Sequence, residues 1–147
     1  MAMQKITLGT VLAIAVMGIV VSALGALVAT RTISNSGNLK AIGVGVYWDS
    51  SCTNTVSSID WGVLDPSATV TRTIYVRNEG NVAVTLSMTT GNWDPPSASS
   101  YITLIWSRGG YVLSAGSVVD AVLTLSVSSS ISEITSFSFD ITITGTQ

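Results

Sequence analysis

The sequence has no histidine and only one cysteine, Cys52, among its 147 residues. Zinc, copper and haem sites draw mostly on histidine and cysteine ligands, and a nucleophile with an imidazole base needs a histidine. These absences argue against most metal and nucleophilic chemistry, and they exclude a cupredoxin-like electron carrier. A single cysteine also excludes a disulfide within the chain, so the fold must depend on its core and its main-chain hydrogen bonds.

Charged residues are scarce as well. Asp, Glu, Lys and Arg make up 10% of the sequence, whereas about 25% is typical, and the formal net charge is -2. The six basic residues do not cluster, so we expect no nucleic-acid partner. No pair of acidic residues has a spacing that indicates general acid–base catalysis, and the chain has no phosphate-binding glycine loop. The sequence therefore predicts a protein that is not an enzyme and that uses no cofactor.

One metal hypothesis remains, and it concerns three carboxylates in predicted loops. Asp49, Asp65 and Asp94 lie in segments that could meet at one end of a β-domain. Carboxylate and carbonyl oxygens are the ligands that Ca²⁺ prefers. Solvated turn residues explain the same three positions, and this is the preferred interpretation, with a calcium site as the weaker alternative.

The longest apolar run covers residues 6–30, which carry no charge and lie between Lys5 and Arg31. A helix of this length spans roughly 37 Å, enough to cross a hydrocarbon core of about 30 Å. Residues 1–30 are thus a hydrophobic leader with three open interpretations: a signal peptide, a membrane anchor, or a helix that packs in a filament core. In each case the membrane is a partner during export or assembly, and the remainder is expected to be extracellular, at the cell surface.

From Asn38 onward, apolar residues recur at every second position, which is typical of strands with one buried face. About seven such runs, joined by turns rich in Gly, Pro and Asn, predict an all-β fold. We expect an immunoglobulin-like β-sandwich over residues 31–147, with a jelly roll or a barrel as the alternative. Residues 78–81, Asn-Glu-Gly-Asn, are predicted to form the turn of a hairpin.

The alternation and the tryptophans together predict the core. The expected inward positions are Ile42, Val44, Val46, Trp48, Trp61, Val70, Ile74, Val76, Val82, Val84, Leu86, Met88, Trp106, Val119, Ala121, Leu123, Leu125, Val127, Phe137, Phe139, Ile141 and Ile143.

Residues 30–40, TRTISNSGNLK, separate the leader from the first regular strand. They carry Thr32, Ile33 and Leu39 among small polar residues, and they lack the alternation that would assign them to the sheet of their own domain. An open sheet edge can accept an extended segment from another copy. We therefore predict a polymerisation arm that makes a head-to-tail contact, which does not close and so propagates as a filament.

Three stretches, YVRNEGNVAVTLSMTT, NWDPPSASSYITLIW and SSISEITSFSFDITITGT, resemble a family of archaeal surface proteins with an N-terminal hydrophobic helix and one small β-sandwich. The layout is also similar to archaeal pilins and to bundling-pilus and biofilm-fibre subunits of the TasA type. The resemblance implies an extracellular filament of β-sandwich subunits. In pilins a retained helix forms the filament core, and in TasA-type subunits an N-terminal strand completes the sheet of the neighbour.

Two functions are therefore expected from the sequence. The first is a structural subunit of a pilus or fibre, whose partners are other copies of itself in a homopolymer. The alternative is a membrane-anchored, monomeric, immunoglobulin-like module for binding or adhesion. The short chain and the weakly charged Ser/Thr surface favour the first, because low charge reduces repulsion between copies.

Overall fold

A computed structural model describes the residues Ile33–Gln147, so the predicted leader lies outside the described part of the chain. These residues form nine strands and one short 3₁₀-helix, Pro96–Ser100. The strands are β1 (Ser34–Ile42), β2 (Gly45–Tyr47), β3 (Ser58–Ile59), β4 (Thr69–Arg77), β5 (Val84–Asp94), β6 (Ile102–Trp106), β7 (Val112–Leu113), β8 (Val118–Val127) and β9 (Ser136–Thr146). Within Ile33–Gln147, no helix is long and apolar enough to cross a membrane.

The strands form two sheets. Sheet 1 has the order β3-β1-β9-β5-β7, and sheet 2 has the order β2-β4-β8-β6. All neighbouring strands run antiparallel except β1 and β9, which are parallel. The predicted all-β, two-sheet architecture is confirmed, although with nine strands instead of about seven. The strands β3 and β7 have only two residues each, which is too short to leave an alternating pattern in the sequence.

The core lies between the sheets and follows the two longest alternations in the sequence. Phe137, Phe139, Ile141 and Ile143 of β9 are all buried, as are the five predicted inward residues of β8. The ring of Trp93 stacks on Phe139 with a centroid separation of 4.2 Å. Because side chains on a strand alternate between its faces, these regular strands bury one whole face each. This part of the predicted core is confirmed.

The predicted tryptophans also contribute to this core. Trp61 is 1% exposed, whereas Trp48 and Trp106 are partly buried and pack against its margin.

The predicted hairpin at residues 78–81 is wrong, because these residues connect sheet 2 to sheet 1. The side chain of Asn78 is buried, and its Nδ2 donates to the carbonyl oxygens of Val82 and Leu113 at 2.8 and 3.0 Å. Its Oδ1 accepts from the N–H of Gly80 at 3.0 Å. A buried amide with all these partners fixes the crossover. Val82, which was expected in the core, is 49% exposed as a result.

A second correction concerns the first predicted strand, which is divided into β1 and β2. The chain turns at Gly43, whose φ of 77° lies in the left-handed region. A Cβ at Gly43 would lie 2.5 Å from the carbonyl oxygen of Gly145, so only glycine fits there. Because the alternation is interrupted at this turn, Ile42 is 46% exposed, while Val46 is buried.

Candidate functional site

The predicted polymerisation arm forms strand β1 of its own sheet. Nine residues of β1 pair in parallel with β9, from Ser34 opposite Ser136 to Ile42 opposite Thr144. On its other side, β1 pairs antiparallel with β3. The expectation that this segment lies outside its own sheet is therefore wrong. Ile33 and Leu39 belong to this arrangement, whereas Thr32 lies outside the described residues.

The alternation of β1 cannot be recognised from the sequence, because two of the residues that face inward in this segment are not apolar. Asn35 is one of them, and it bonds to the main chain that follows β3. Its Oδ1 accepts from the N–H of Trp61 at 2.9 Å, and its Nδ2 donates to the carbonyl oxygen of Gly62 at 2.8 Å. The side chain of Asn35 therefore satisfies main-chain groups that would otherwise lack a partner.

Gly37 is the second inward position, and it leaves room for an indole. A Cβ at this residue would lie 3.3 Å from Nε1 of Trp61 and 3.4 Å from Cδ1 of Ile141. Trp61 is 1% exposed, and its Nε1 is buried without a hydrogen-bond partner in the part of the chain that the structure describes. Glycine lets β1 lie directly against this ring.

Two apolar residues complete the anchoring of β1. Ile33 is 1% exposed, and its N–H donates to the carbonyl oxygen of Leu64 at 3.0 Å. Leu39 is partly buried against the core, and its N–H donates to the carbonyl oxygen of Ser57 at 2.8 Å. We call the surface that receives the segment from Ile33 to Ile42 the β1 seat; it comprises β9, β3 and residues 60–64.

Outward residues link β1 to the next two strands of sheet 1. The carboxylate of Asp140 on β9 accepts from Nδ2 of Asn92 on β5 at 2.6 Å and from Nδ2 of Asn38 on β1 at 3.4 Å. These contacts are exposed, so they add little to the stability of the sheet. The β1 seat therefore holds its strand mainly through main-chain hydrogen bonds, Asn35 and two apolar side chains.

The three candidate calcium ligands are not brought together. Asp49 lies in the loop after β2, Asp65 in the loop before β4, and Asp94 at the end of β5. Within Ile33–Gln147, no group of three or more His, Cys, Asp or Glu residues could hold a metal ion.

Asp49 instead stabilises its own loop. Its carboxylate accepts from the hydroxyl of Thr53 at 2.5 Å and from the N–H groups of Thr53 and Asn54, each at 3.0 Å. These hydrogen bonds, led by the Thr53 side chain, lower the pKa of Asp49 below its ordinary value of 3.8.

The comparison with protein-family models finds no family that matches this chain, and the comparison with curated proteins finds no relative.

Proposed function

We propose that this protein is a structural subunit of an extracellular filament at the cell surface, and that its copies assemble by exchanging β1. In the filament, β1 of one copy occupies the β1 seat of the next copy. The role is mechanical and requires neither a catalytic residue nor a cofactor. This contact is head-to-tail, because a strand meets a seat, and such a contact propagates without closing.

The main support for this proposal comes from the contacts that β1 makes with its seat. Its nine-residue ladder with β9 consists of main-chain hydrogen bonds, and the residues that face inward along the segment from Ile33 to Ile42 are Ile33, Asn35, Gly37 and Leu39. A second copy supplies every one of these contacts identically, so exchange changes the connectivity and leaves the contacts the same. Exchange of an identical element is a low-cost route to assembly. Main-chain bonds supply affinity in such strand addition, and the pockets for alternate side chains supply register.

The immunoglobulin-like assignment belongs to the same proposal. Immunoglobulin sheets have the strand orders A-B-E-D and C-F-G. The order β2-β4-β8-β6 follows the first, and β5-β9-β1 follows the second, with β1 in the position of strand G. Strand G follows F along the chain and runs antiparallel to it in an immunoglobulin domain, whereas β1 comes first in the chain and runs parallel to β9. Because β1 enters the position of strand G from the N-terminal end of the domain, β1 of another copy can enter the same position.

One observation favours the alternative, a membrane-anchored monomeric module for binding or adhesion. In the described chain β1 occupies its own seat, so a single copy already has a complete sheet 1. Such a domain would need no neighbour for stability. The test must therefore distinguish β1 bound within one copy from β1 bound between copies.

Paired cysteines provide this test. Ser36 and Ser138 are directly opposite each other in the β1–β9 ladder, and neither is buried. The full-length chain would carry Ser36→Cys and Ser138→Cys in a Cys52→Ser background and would be oxidised after assembly on the cell surface. We expect a ladder of covalent multimers on a non-reducing gel, together with fibres in electron micrographs. Each single-cysteine variant is a control, because it can form dimers at most.

The result that opposes the proposal is equally clear. If the double variant forms only a disulfide within one copy, and the native protein forms no fibres, then β1 remains in its own seat. This result would support the alternative, a monomeric module for binding or adhesion. If fibres form while every disulfide stays within one copy, assembly uses another contact.

A further inference from the structure

Sheet 2 ends in an edge strand that differs from the other three edges of the described chain. The edge strands β3 and β7 have two residues each, and β2 has three, so each offers little main chain to a partner. The edge strand β6 has five residues, and no strand within Ile33–Gln147 pairs with its outer side. An unpaired edge of this length is a template for another strand.

The composition of β6 does not protect this edge. Its sequence is Ile-Thr-Leu-Ile-Trp, without a charge, a proline or a glycine, and its pairing with β8 is free of bulges. Ile105 is 63% exposed on the outer face. Natural edge strands usually carry a lysine, a proline or a bulge that prevents pairing. The nearest charge along the chain, Arg108, bonds to Asp120 at 3.0 Å, and its guanidinium lies 4.7 Å from the ring centroid of Tyr111.

Hydrogen bonds at both ends of β6 show which of its main-chain groups are available. The N–H of Ser128 donates to the carbonyl oxygen of Tyr101 at 2.8 Å, and the N–H of Ser107 donates to that of Val122 at 3.1 Å. In an antiparallel pair, alternate residues direct both main-chain groups to the same neighbour. The odd-numbered residues of β6 therefore face β8, and the even-numbered ones face the open edge.

The three residues at the open edge are Ile102, Leu104 and Trp106, and they have a self-complementary register. When two β6 strands run antiparallel about a two-fold axis at Leu104, that residue meets its own counterpart, and Ile102 meets Trp106. Each of these three residue pairs is a hydrogen-bonded pair, in which the two residues exchange two main-chain hydrogen bonds. The contact therefore contains about six main-chain hydrogen bonds. Leu104 and Trp106 are only partly buried at the margin of the core, and the second strand covers them further.

We propose that β6 is a self-association edge, through which two copies of this chain pair antiparallel and join their two sheets 2 into one. A second copy fits better than a charged partner, because β6 presents no charge for such a partner to bind. The contact is isologous and lies in sheet 2, whereas the β1 seat lies in sheet 1. It is therefore independent of strand exchange and adds a lateral contact to the head-to-tail one.

Cysteine substitution at the two-fold axis tests this register in the full-length chain, in detergent solution and with Cys52→Ser throughout. Leu104→Cys places a thiol opposite itself in the proposed pair, so mild oxidation should yield a covalent dimer. Val112→Cys is the control for random collision, because Val112 belongs to β7 and, at 63% exposed, is more accessible than the partly buried Leu104. We expect the dimer from Leu104→Cys and only a background level from Val112→Cys.

A second pair of variants separates pairing from accidental collision. Adding Ile105→Lys to Leu104→Cys places two like charges near the axis on an exposed face, and the dimer should be lost. Adding Val112→Lys should leave it unchanged. Equal dimer yields from Leu104→Cys and Val112→Cys would overturn the proposal. So would a preferred cross-link between Leu104→Cys in one copy and Ser36→Cys in another, which would assign the edge to β1. Failure of either kind leaves the Ser36–Ser138 experiment interpretable, since that experiment reports on sheet 1 alone.

Discussion

At the scale of single residues, the most informative position is Phe139. It is 1% exposed, and it stacks on Trp93 with an angle of 6° between the ring planes. Phe137 lies 6.0 Å away between ring centroids, so three aromatic rings fill this part of the core. Offset aromatic contacts contribute about 0.5 to 1.5 kcal/mol beyond the burial of their area. The stack includes Trp93, which the alternation of its own strand does not identify as a core residue.

We expect Phe139→Ala to lower the free energy of unfolding by about 3 to 5 kcal/mol, because it removes a buried ring and leaves a cavity. Urea titration of the full-length chain, followed by circular dichroism, measures this change. Ser138→Ala is the control, since Ser138 is on the outer face of the same strand, and it should change stability by less than about 0.5 kcal/mol. A loss below about 1 kcal/mol for Phe139→Ala would contradict the assigned face of β9.

At the scale of elements, β1 and its seat depend on a fit between a strand and a ring. Gly37 has an ordinary backbone conformation, so its role is space and not conformational freedom. The indole of Trp61 occupies the volume that a side chain at residue 37 would need. The fit of β1 in its seat therefore depends on the absence of a side chain at Gly37 as well as on the apolar side chains of Ile33 and Leu39.

Gly37→Val should destabilise the domain by about 1 to 3 kcal/mol, because its methyl groups would enter the volume held by Trp61. Ser36→Val adds the same side chain to the exposed face of β1 and should have little effect. Urea titration compares the two variants. Equal stability of the two variants would show that Trp61 does not contact β1 as described.

At the scale of the whole molecule, the domain is stabilised by one core between two sheets, and its single cysteine, Cys52, is free. The candidate calcium ligands lie in three separate loops, and the carboxylate of Asp49 is occupied by Thr53 and Asn54. Stability should therefore come from packing and from the main-chain ladders.

EDTA should leave the melting temperature of the full-length protein unchanged, and added Ca²⁺ should not raise it. Differential scanning calorimetry measures both, with a sodium chloride control matched to the ionic strength of the EDTA solution. The expected result follows from the separation of Asp49, Asp65 and Asp94. A large fall in the melting temperature on adding EDTA, reversed by Ca²⁺, would contradict this expectation and would support the calcium site.

The sequence by itself determined the all-β class and the buried faces of β8 and β9, because a period of two is a local property of a strand. It also excluded histidine-dependent chemistry. Only the tertiary structure decided the connection at Asn78 and the place of β1, because strand pairing joins residues that are distant along the chain. Asn35 and Gly37 face inward although neither has an apolar side chain. Asn35 bonds to the main chain at residues 61–62, and Gly37 leaves room for the indole of Trp61. A local pattern cannot encode such a contact, since the partner that selects the residue lies elsewhere in the sequence.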